Sequence, residues 1–346
     1  MLKLNKVRAI IYALLAAVFY AVSVPMSKIL LRTVGPTMMA AFLYLGAGIG
    51  VGAMSLASRE EKSARLDRKD LPYVIGMILL DIAAPVFLMM GISYGSSSNA
   101  SLLGNFEIAA TTVIALMIFK EAVSIRLWMA IGLITLSSIL LSLEGAGSFR
   151  FSVGSLFVIL ATICWGFENN CTRKISSKST YEIVVLKGVF SGLGAFAIAL
   201  ARHESLPYLS SILPAMLLGF IAYGLSIFLY VRAQNVLGAA KTSAYYAVSP
   251  FVGAFLSFAV LKDQLTGLYL IALLIMIAGT SLVVAETLIS RHIHEHQHSF
   301  THTHGGSTHT HVVTHSHVHD HYVTEDSHGH HHSREELEKL PGAVHT

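Results

Sequence analysis

"FKEAVSIRLWMAIGLITLSSILLSLE", residues 119–144, aligns without a gap to "LKDQLTGLYLIALLIMIAGTSLVVAE", residues 261–286, at an offset of 142 residues. The register sets Lys120-Glu121 on Lys262-Asp263 and Glu144 on Glu286. A second gap-free match, at an offset of 145, sets "ALLAAVFYAVSVPMSK" (13–28) against "VILATICWGFENNCTR" (158–173). Self-similarity at a fixed spacing marks duplicated units. The chain therefore reads as two halves, 1–145 and 150–289, followed by a tail from 290 onward.

Each half is built for lipid. The chain is 54% hydrophobic and 13% charged over 346 residues, whereas a soluble domain carries about 25% charged residues. Apolar runs of about twenty residues, the length that crosses a bilayer, recur ten times: 9–31, 36–57, 72–92, 96–119, 125–143, 153–172, 181–201, 212–234, 237–261 and 266–289. The opening "KLNKVRAIIYALLAAVFY" has the basic-then-apolar form of a secretory signal, but its apolar run continues beyond a signal's length. It is expected to be a retained first helix. Five spans per half is an odd number, so the second half enters the membrane from the opposite side. The expected class is an all-α polytopic membrane protein of ten transmembrane helices in two inverted five-helix repeats.

The basic residues give the orientation. One side collects Lys3, Lys6, Arg8, the five basic residues of "SREEKSARLDRKD" (58–70), Lys120, Arg126, Arg173, Lys174 and Lys178. The other collects little beyond Arg32, Arg150, Arg202 and Lys262. The positive-inside rule then puts both termini in the cytoplasm of a multi-pass plasma-membrane protein. The net charge of +4 reports topology, and nucleic acid is not an expected partner. Cys164 and Cys171 lie seven apart on one expected helix, about 10 Å along its axis, so they cannot bridge each other.

Ionisable groups inside the spans are expensive and mark function by default. Asp81 lies near the middle of the third span and Glu107 near the middle of the fourth, in "SLLGNFEIAATTVIALMIF" (101–119). No basic residue is expected at their depth, save what a long Lys187 or Lys28 reaches, so each is expected to be neutralised by a proton or a cationic solute. Glu168 and Lys187 fall within two turns of the cytoplasmic ends of the sixth and seventh spans and are expected to pair. The offsets set Tyr223 opposite Asp81 and Ser249 opposite Glu107. Asn105, Asn169 and Tyr245, with Tyr246 beside it, complete the expected lining. Glu168 shares a helix face with Cys164 and Cys171, but two thiols and one carboxylate fall short of a metal cage. The glycines of "GAGIGVG" (46–52) and "SGLGAF" (191–196) read as faces for close helix approach.

These residues also carry a family resemblance. The turns "IFKE" (118–121) and "VLKD" (260–263), "CWGFENNCTRK" (164–174) and "YYAVSPFVG" (245–253) with Pro250 resemble motifs of the EamA-type drug/metabolite transporter superfamily. The likeness covers residues 9–289. It implies ten helices and a small-molecule substrate in a lipid bilayer. No enzymatic activity is expected, because the short loops carry no nucleophile–base pair, phosphate loop or metal-ligand motif. Members move amino acids, nucleobases, sugar phosphates, amines or drugs. Where the second helix of a half often carries arginine, this chain has Phe42 and Lys187.

The tail departs from all of this. Sixteen histidines fall between 292 and 332, at 292, 294, 296, 298, 302, 304, 309, 311, 315, 317, 319, 321, 328, 330, 331 and 332. Named singly they are His292, His294, His296, His298, His302, His304, His309, His311, His315, His317, His319, His321, His328, His330, His331 and His332. Such low-complexity composition cannot bury a core and is expected to be disordered and cytoplasmic. In an extended chain His-x-His presents two imidazoles to one ion, so Zn²⁺, Ni²⁺, Co²⁺ or Cu²⁺ is the expected ligand; no cofactor is otherwise required. The favoured function is a secondary, proton-coupled transporter of a small cationic or zwitterionic metabolite or drug, with a regulatory or buffering tail. A divalent-metal transporter and a non-transporting metal sensor are the alternatives. A homodimer is admissible.

Overall fold

Hydrophobic side chains in this chain face two apolar surroundings, a protein interior and its outer surface, and the helices record both. The computed structural model describes residues 2–57, 64–119, 124–143, 152–237, 242, 245–304 and 307–322. Lys120, Glu121, Glu144 and His328 to His332 lie outside them, so the repeat's acidic turn at 120–121 is not described.

Among the described residues the helices run in order: α1 Leu2–Ala21, α2 Ser23–Leu30, α3 Pro36–Ala57, α4 Leu71–Tyr94, α5 Ser97–Leu103, α6 Phe106–Phe119, α7 Ile125–Ser142, α8 Val153–Ile175, α9 Thr180–Ala201, α10 Leu209–Gly219, α11 Ser226–Leu237, α12 Ser249–Leu261 and α13 Gly267–Leu288. A π-helical turn, Phe220–Leu225, joins α10 to α11. Each begins where local chemistry permits. Ser96, Ser124, Ser152 and Ser179 cap α5, α7, α8 and α9 by accepting a hydrogen bond from an amide three residues on, as N-cap serines do.

Among the described residues, seven helical stretches are long and apolar enough to cross a membrane: 5–30, 36–57, 71–94, 125–142, 180–201, 209–234 and 267–285. The other three expected spans are helical too, but 97–119 is broken, 153–175 carries a polar face, and 249–261 is short. Large apolar side chains such as Leu56, Leu79, Leu213, Phe255 and Leu274 lie exposed on the outside, as lipid contact requires.

Met1–Val284 form one compact unit. Within it α4 packs along α8, α1 packs along α11, and α3 crosses α9. Each of these pairs joins an element before residue 145 to one after residue 150. The α3–α9 crossing is close enough that only glycine fits: a Cβ on Gly188 would sit 2.3 Å from the amide nitrogen of Gly48. Gly188→Val is therefore expected to cost about 3 kcal/mol or more, since two backbones would have to separate. Size-exclusion chromatography in detergent checks this. Gly132→Ala, where nothing lies within 4 Å, should elute as wild type; an unchanged Gly188→Val profile would mean the crossing yields.

Polar groups seal the helix ends. Lys28 Nζ donates to the carbonyls of Ile92 (2.5 Å) and Gly95 (2.7 Å) at the end of α4, so it does not reach Asp81 or Glu107. Asp263 accepts from the amide of Ser98 at 2.8 Å, and Glu204 from the amide of Met38 at 2.8 Å. In the 64–70 segment, the hydrogen bond to Asp70 holds the Lys178 ammonium above the ordinary lysine range, and the amide of Lys69 holds the Asp67 carboxyl below its usual value.

The chain from Ala285 onward is a second unit. Strand β1, Ile289–His304, pairs antiparallel with β2, Ser307–Tyr322; His292 lies opposite His319, His294 opposite His317, His296 opposite His315 and His302 opposite His309. Composition alone gives the expectation of disorder for the tail, and over these residues the described backbone is paired strand. Histidine alternates there with Thr, Val and Ile, and this period of two suits a ladder that composition alone does not reveal.

Candidate functional site

Proline and short-range hydrogen bonds interrupt three helices, and the interruptions meet. Pro25 lacks the N–H that would bond the carbonyl of Ala21 and crowds that carbonyl, which separates α1 from α2 at Val22. Pro250 acts likewise on Tyr246, so α12 restarts at Ser249 after a turn at Ala247–Val248. Between α5 and α6 the bonds shorten to i→i+3: Gly104 N to Ser101 O at 3.1 Å, and Asn105 N to Leu102 O at 3.2 Å. α12 packs on α5, α1 and α2. A Cβ placed on Gly253 would lie 3.1 Å from Ser101 Oγ and 3.2 Å from the carbonyl of Ala21, and one on Gly104 would lie 3.6 Å from the Pro250 ring. Residues flanking the breaks, Tyr20, Asn105, Glu107, Tyr246 and Ser249, therefore converge. Interrupted helices at mid-membrane depth are where transporters bind solutes.

Aromatic rings back this junction. Tyr20 stands at the centre, with ring centroids 5.5 Å from Tyr223, 5.9 Å from Tyr246 and 6.4 Å from Trp165, while Tyr44 lies 5.3 Å from Tyr223. Tyr223 belongs to the π-helical turn, a deviation that frequently marks functional sites, and its hydroxyl accepts from Ser23 Oγ at 3.2 Å.

Beside the rings lies the charge. Lys187 Nζ sits 3.0 Å from Asp81 Oδ2 and 2.9 Å from Glu168 Oε1. Asp81 is 0% exposed and also accepts from Tyr44 Oη at 2.9 Å; Thr172 donates to Glu168. Glu107 accepts from Asn169 Nδ2 at 2.7 Å. It forms no ion pair among the described residues, and although protein surrounds it, its surface is partly accessible. Of these three interior carboxylates, two share Lys187 and Glu107 does not.

The structure brings together Asp81, Glu168 and Lys187 and the pair Glu107–Asn169; Asn105 and Ser249 each adjoin the Gly104–Pro250 contact, and Tyr223 meets Tyr20, Tyr44 and Ser23. The expected Glu168–Lys187 pair is present. Asp81 is not unpaired as expected, because Lys187 is long enough to bridge α8 and α4 at once. Tyr245 is partly buried, but the ring contacts run through its neighbour Tyr246. Tyr20, Tyr44, Trp165 and Ser101 went unrecognised in the sequence. Pro25, which places the break just after Tyr20, was the available signal for the first of them. Among the described residues no group of three or more His, Cys, Asp and Glu side chains is arranged to hold a metal; the side chains of the tail histidines are not among those described.

Comparison with known proteins gives a consistent picture. Residues 7–143 and 152–285 each match the EamA-like transporter family. An uncharacterized transporter of Methanothermobacter thermautotrophicus (strain Delta H) is 24% identical over 290 residues, covering 76% of this chain and 82% of the relative. The uncharacterized transporter YyaM of Bacillus subtilis (strain 168) is 23% identical over 216 residues, 58% of this chain and 68% of the relative. A crystal structure of a protein with 16% identity superposes with a TM-score of 0.60 over 81% of this chain and 96% of its own, a likeness of fold.

Proposed function

The chain belongs to the EamA-like transporter family, and from that membership we propose that it is a secondary, proton-coupled carrier of a small organic solute, cationic or zwitterionic. The observation that supports this reading is the surplus of interior carboxylates: Asp81 and Glu168 share Lys187, while among the described residues Glu107 has a neutral amide partner and no ion pair. An unmatched carboxylate in hydrocarbon is stable only when a proton or a cation neutralises it. Exchange of one for the other at a single site couples their movements.

On this reading 1–145 and 150–289 are two inverted halves of five spans each in the plasma membrane, with both termini cytoplasmic. The histidine tail binds divalent transition metal and buffers or regulates; it is not part of the solute path. Transport in reconstituted vesicles tests all of this at once. An imposed pH gradient should drive accumulation of an amine or zwitterion, and a protonophore should abolish it. A chain ending at Ser290 should carry solute at the full rate yet lose most Zn²⁺ and Ni²⁺ binding. In the full chain that binding should weaken from pH 7 to about 5.5, because imidazole, with an ordinary pKa of about 6.5, binds metal only when neutral. If metal alone moves, and only with the tail present, the chain is a divalent-metal transporter instead.

A further inference from the structure

Twelve of the sixteen tail histidines lie on the strands of the hairpin, six on β1 at even positions from His292 to His304 and six on β2 at odd positions from His309 to His321. Every even position of β1 is paired with an odd position of β2, and successive residues of a strand alternate between faces. All twelve histidines therefore share one face. A slip of one residue would divide them six and six between the two faces.

The opposite face favours this register. Arg291 stands opposite Asp320, Ile293 opposite Val318, and Thr301 and Thr303 opposite Thr310 and Thr308. Opposite charges, β-branched residues and threonine pairs are cross-strand partners that stabilise a sheet. Gly305 and Gly306 separate the strands in sequence, and Gly-Gly is a pair that two-residue hairpin connections favour. A two-stranded hairpin is nonetheless marginal in water by itself.

Along the histidine face, rungs 292–319, 294–317 and 296–315 carry histidine on both strands and follow one another without interruption. Val313 and Phe300 interrupt the run, and beyond them rung 302–309 is flanked by His304 and His311. Facing positions lie about 5 Å apart and successive rungs of one face about 7 Å, so the centre of two adjacent rungs is about 4 Å from each of their four positions in the plane of the sheet. Four neutral imidazoles around one point form a ligand set for a borderline divalent ion.

Resting on the metal-binding reading of the tail above, we propose that the hairpin itself is the site. Zn²⁺ or a similar ion sits between the strands and takes imidazoles from both, once within the run of three rungs and once around rung 302–309. The ions staple a hairpin that is marginal without them, so metal binding and strand pairing are one event. The tail is then a metal-folded element and not a string of independent His-x-His chelators.

The test compares two variants of the full-length protein. One carries Gln297→Cys and Thr314→Cys, which stand opposite each other on the histidine-free face; the other carries Gln297→Cys and Thr310→Cys. In this register the first pair is within disulfide reach and the second is offset by about 14 Å along the strands. In an unpaired chain the second pair, nearer in sequence, closes at least as fast. Disulfide formation is followed by peptide mass spectrometry under mild oxidation at about pH 7.5, where imidazole is neutral, with Zn²⁺ or with EDTA. Zn²⁺ should raise the ratio of the first rate to the second by about tenfold or more. Adding His294→Gln, His296→Gln, His315→Gln and His317→Gln together should cut that gain at least about threefold. A ratio that Zn²⁺ leaves unchanged, although the tail binds the ion, would overturn the inference and leave metal binding by the tail standing. A gain kept in full by the quadruple histidine variant would overturn it too. If the full chain binds no more Zn²⁺ than a chain ending at Ser290, the inference and the tail reading fall together; the carrier reading depends on neither.

Discussion

Lys187→Met is expected to destabilise the protein by about 3–5 kcal/mol, the loss seen when one partner of a buried ion pair is removed and its counter-charge stays behind. Here two counter-charges stay behind. Asp81 and Glu168 approach the same ammonium at 3.0 and 2.9 Å, and all three groups are buried. Removing the lysine leaves both carboxylates in the interior with the hydroxyls of Tyr44 and Thr172 as donors. Asp81→Asn and Glu168→Gln should each cost less, because the lysine keeps one partner. The triple variant Lys187→Met, Asp81→Asn, Glu168→Gln should recover much of the stability, since neutral isosteres need no counter-charge. Unfolding titrations in mixed micelles measure all four. Losses that simply add across the variants would show that Lys187 does not bridge the carboxylates.

Glu107→Gln should leave the protein folded and end gradient-driven accumulation entirely. Glutamine keeps the side chain's shape and its Oε1, so the 2.7 Å bond from Asn169 survives. What it loses is the capacity to bind a proton or a cation in exchange. Downhill exchange of a labelled solute then persists at best, without concentration against a gradient. Vesicle assays at two external pH values separate the outcomes. Wild-type accumulation with unchanged pH dependence would make Glu107 a structural residue. Asp81→Asn is a sharper contrast than it first looked: because Asp81 shares Lys187, its loss should reduce stability as well as transport.

Much of the candidate site was legible along the chain. Asp81, Glu107, Glu168 and Lys187 stand out because an ionisable side chain in an apolar run is costly wherever its helix goes. The Glu168–Lys187 pairing was readable from matching depth on consecutive spans. Asn105 stands out as a polar residue two before Glu107, and Ser249 as the repeat counterpart of Glu107 itself. Tyr20, Tyr44 and Trp165 were not, since an aromatic ring in a membrane span looks alike whether it faces lipid or a binding site.

By itself the sequence determined that this protein lives in a bilayer and that its two halves resemble each other in sequence. Those properties rest on transfer free energies and residue order, which each segment carries with it. The breaks at Pro25 and Pro250 come from the structure: along the sequence both prolines fall inside unbroken expected spans, 9–31 and 237–261. Tertiary structure decided which groups meet. The Gly48–Gly188 crossing brings α3 and α9 into backbone contact, and α9 also packs on α4, where Lys187 finds Asp81 as well as Glu168. Convergence of three helix breaks around Asn105 follows from how α12 packs on α5 and α1. Lateral neighbours depend on tilt and crossing angle, which are set by close packing over the whole bundle, so no single span encodes them.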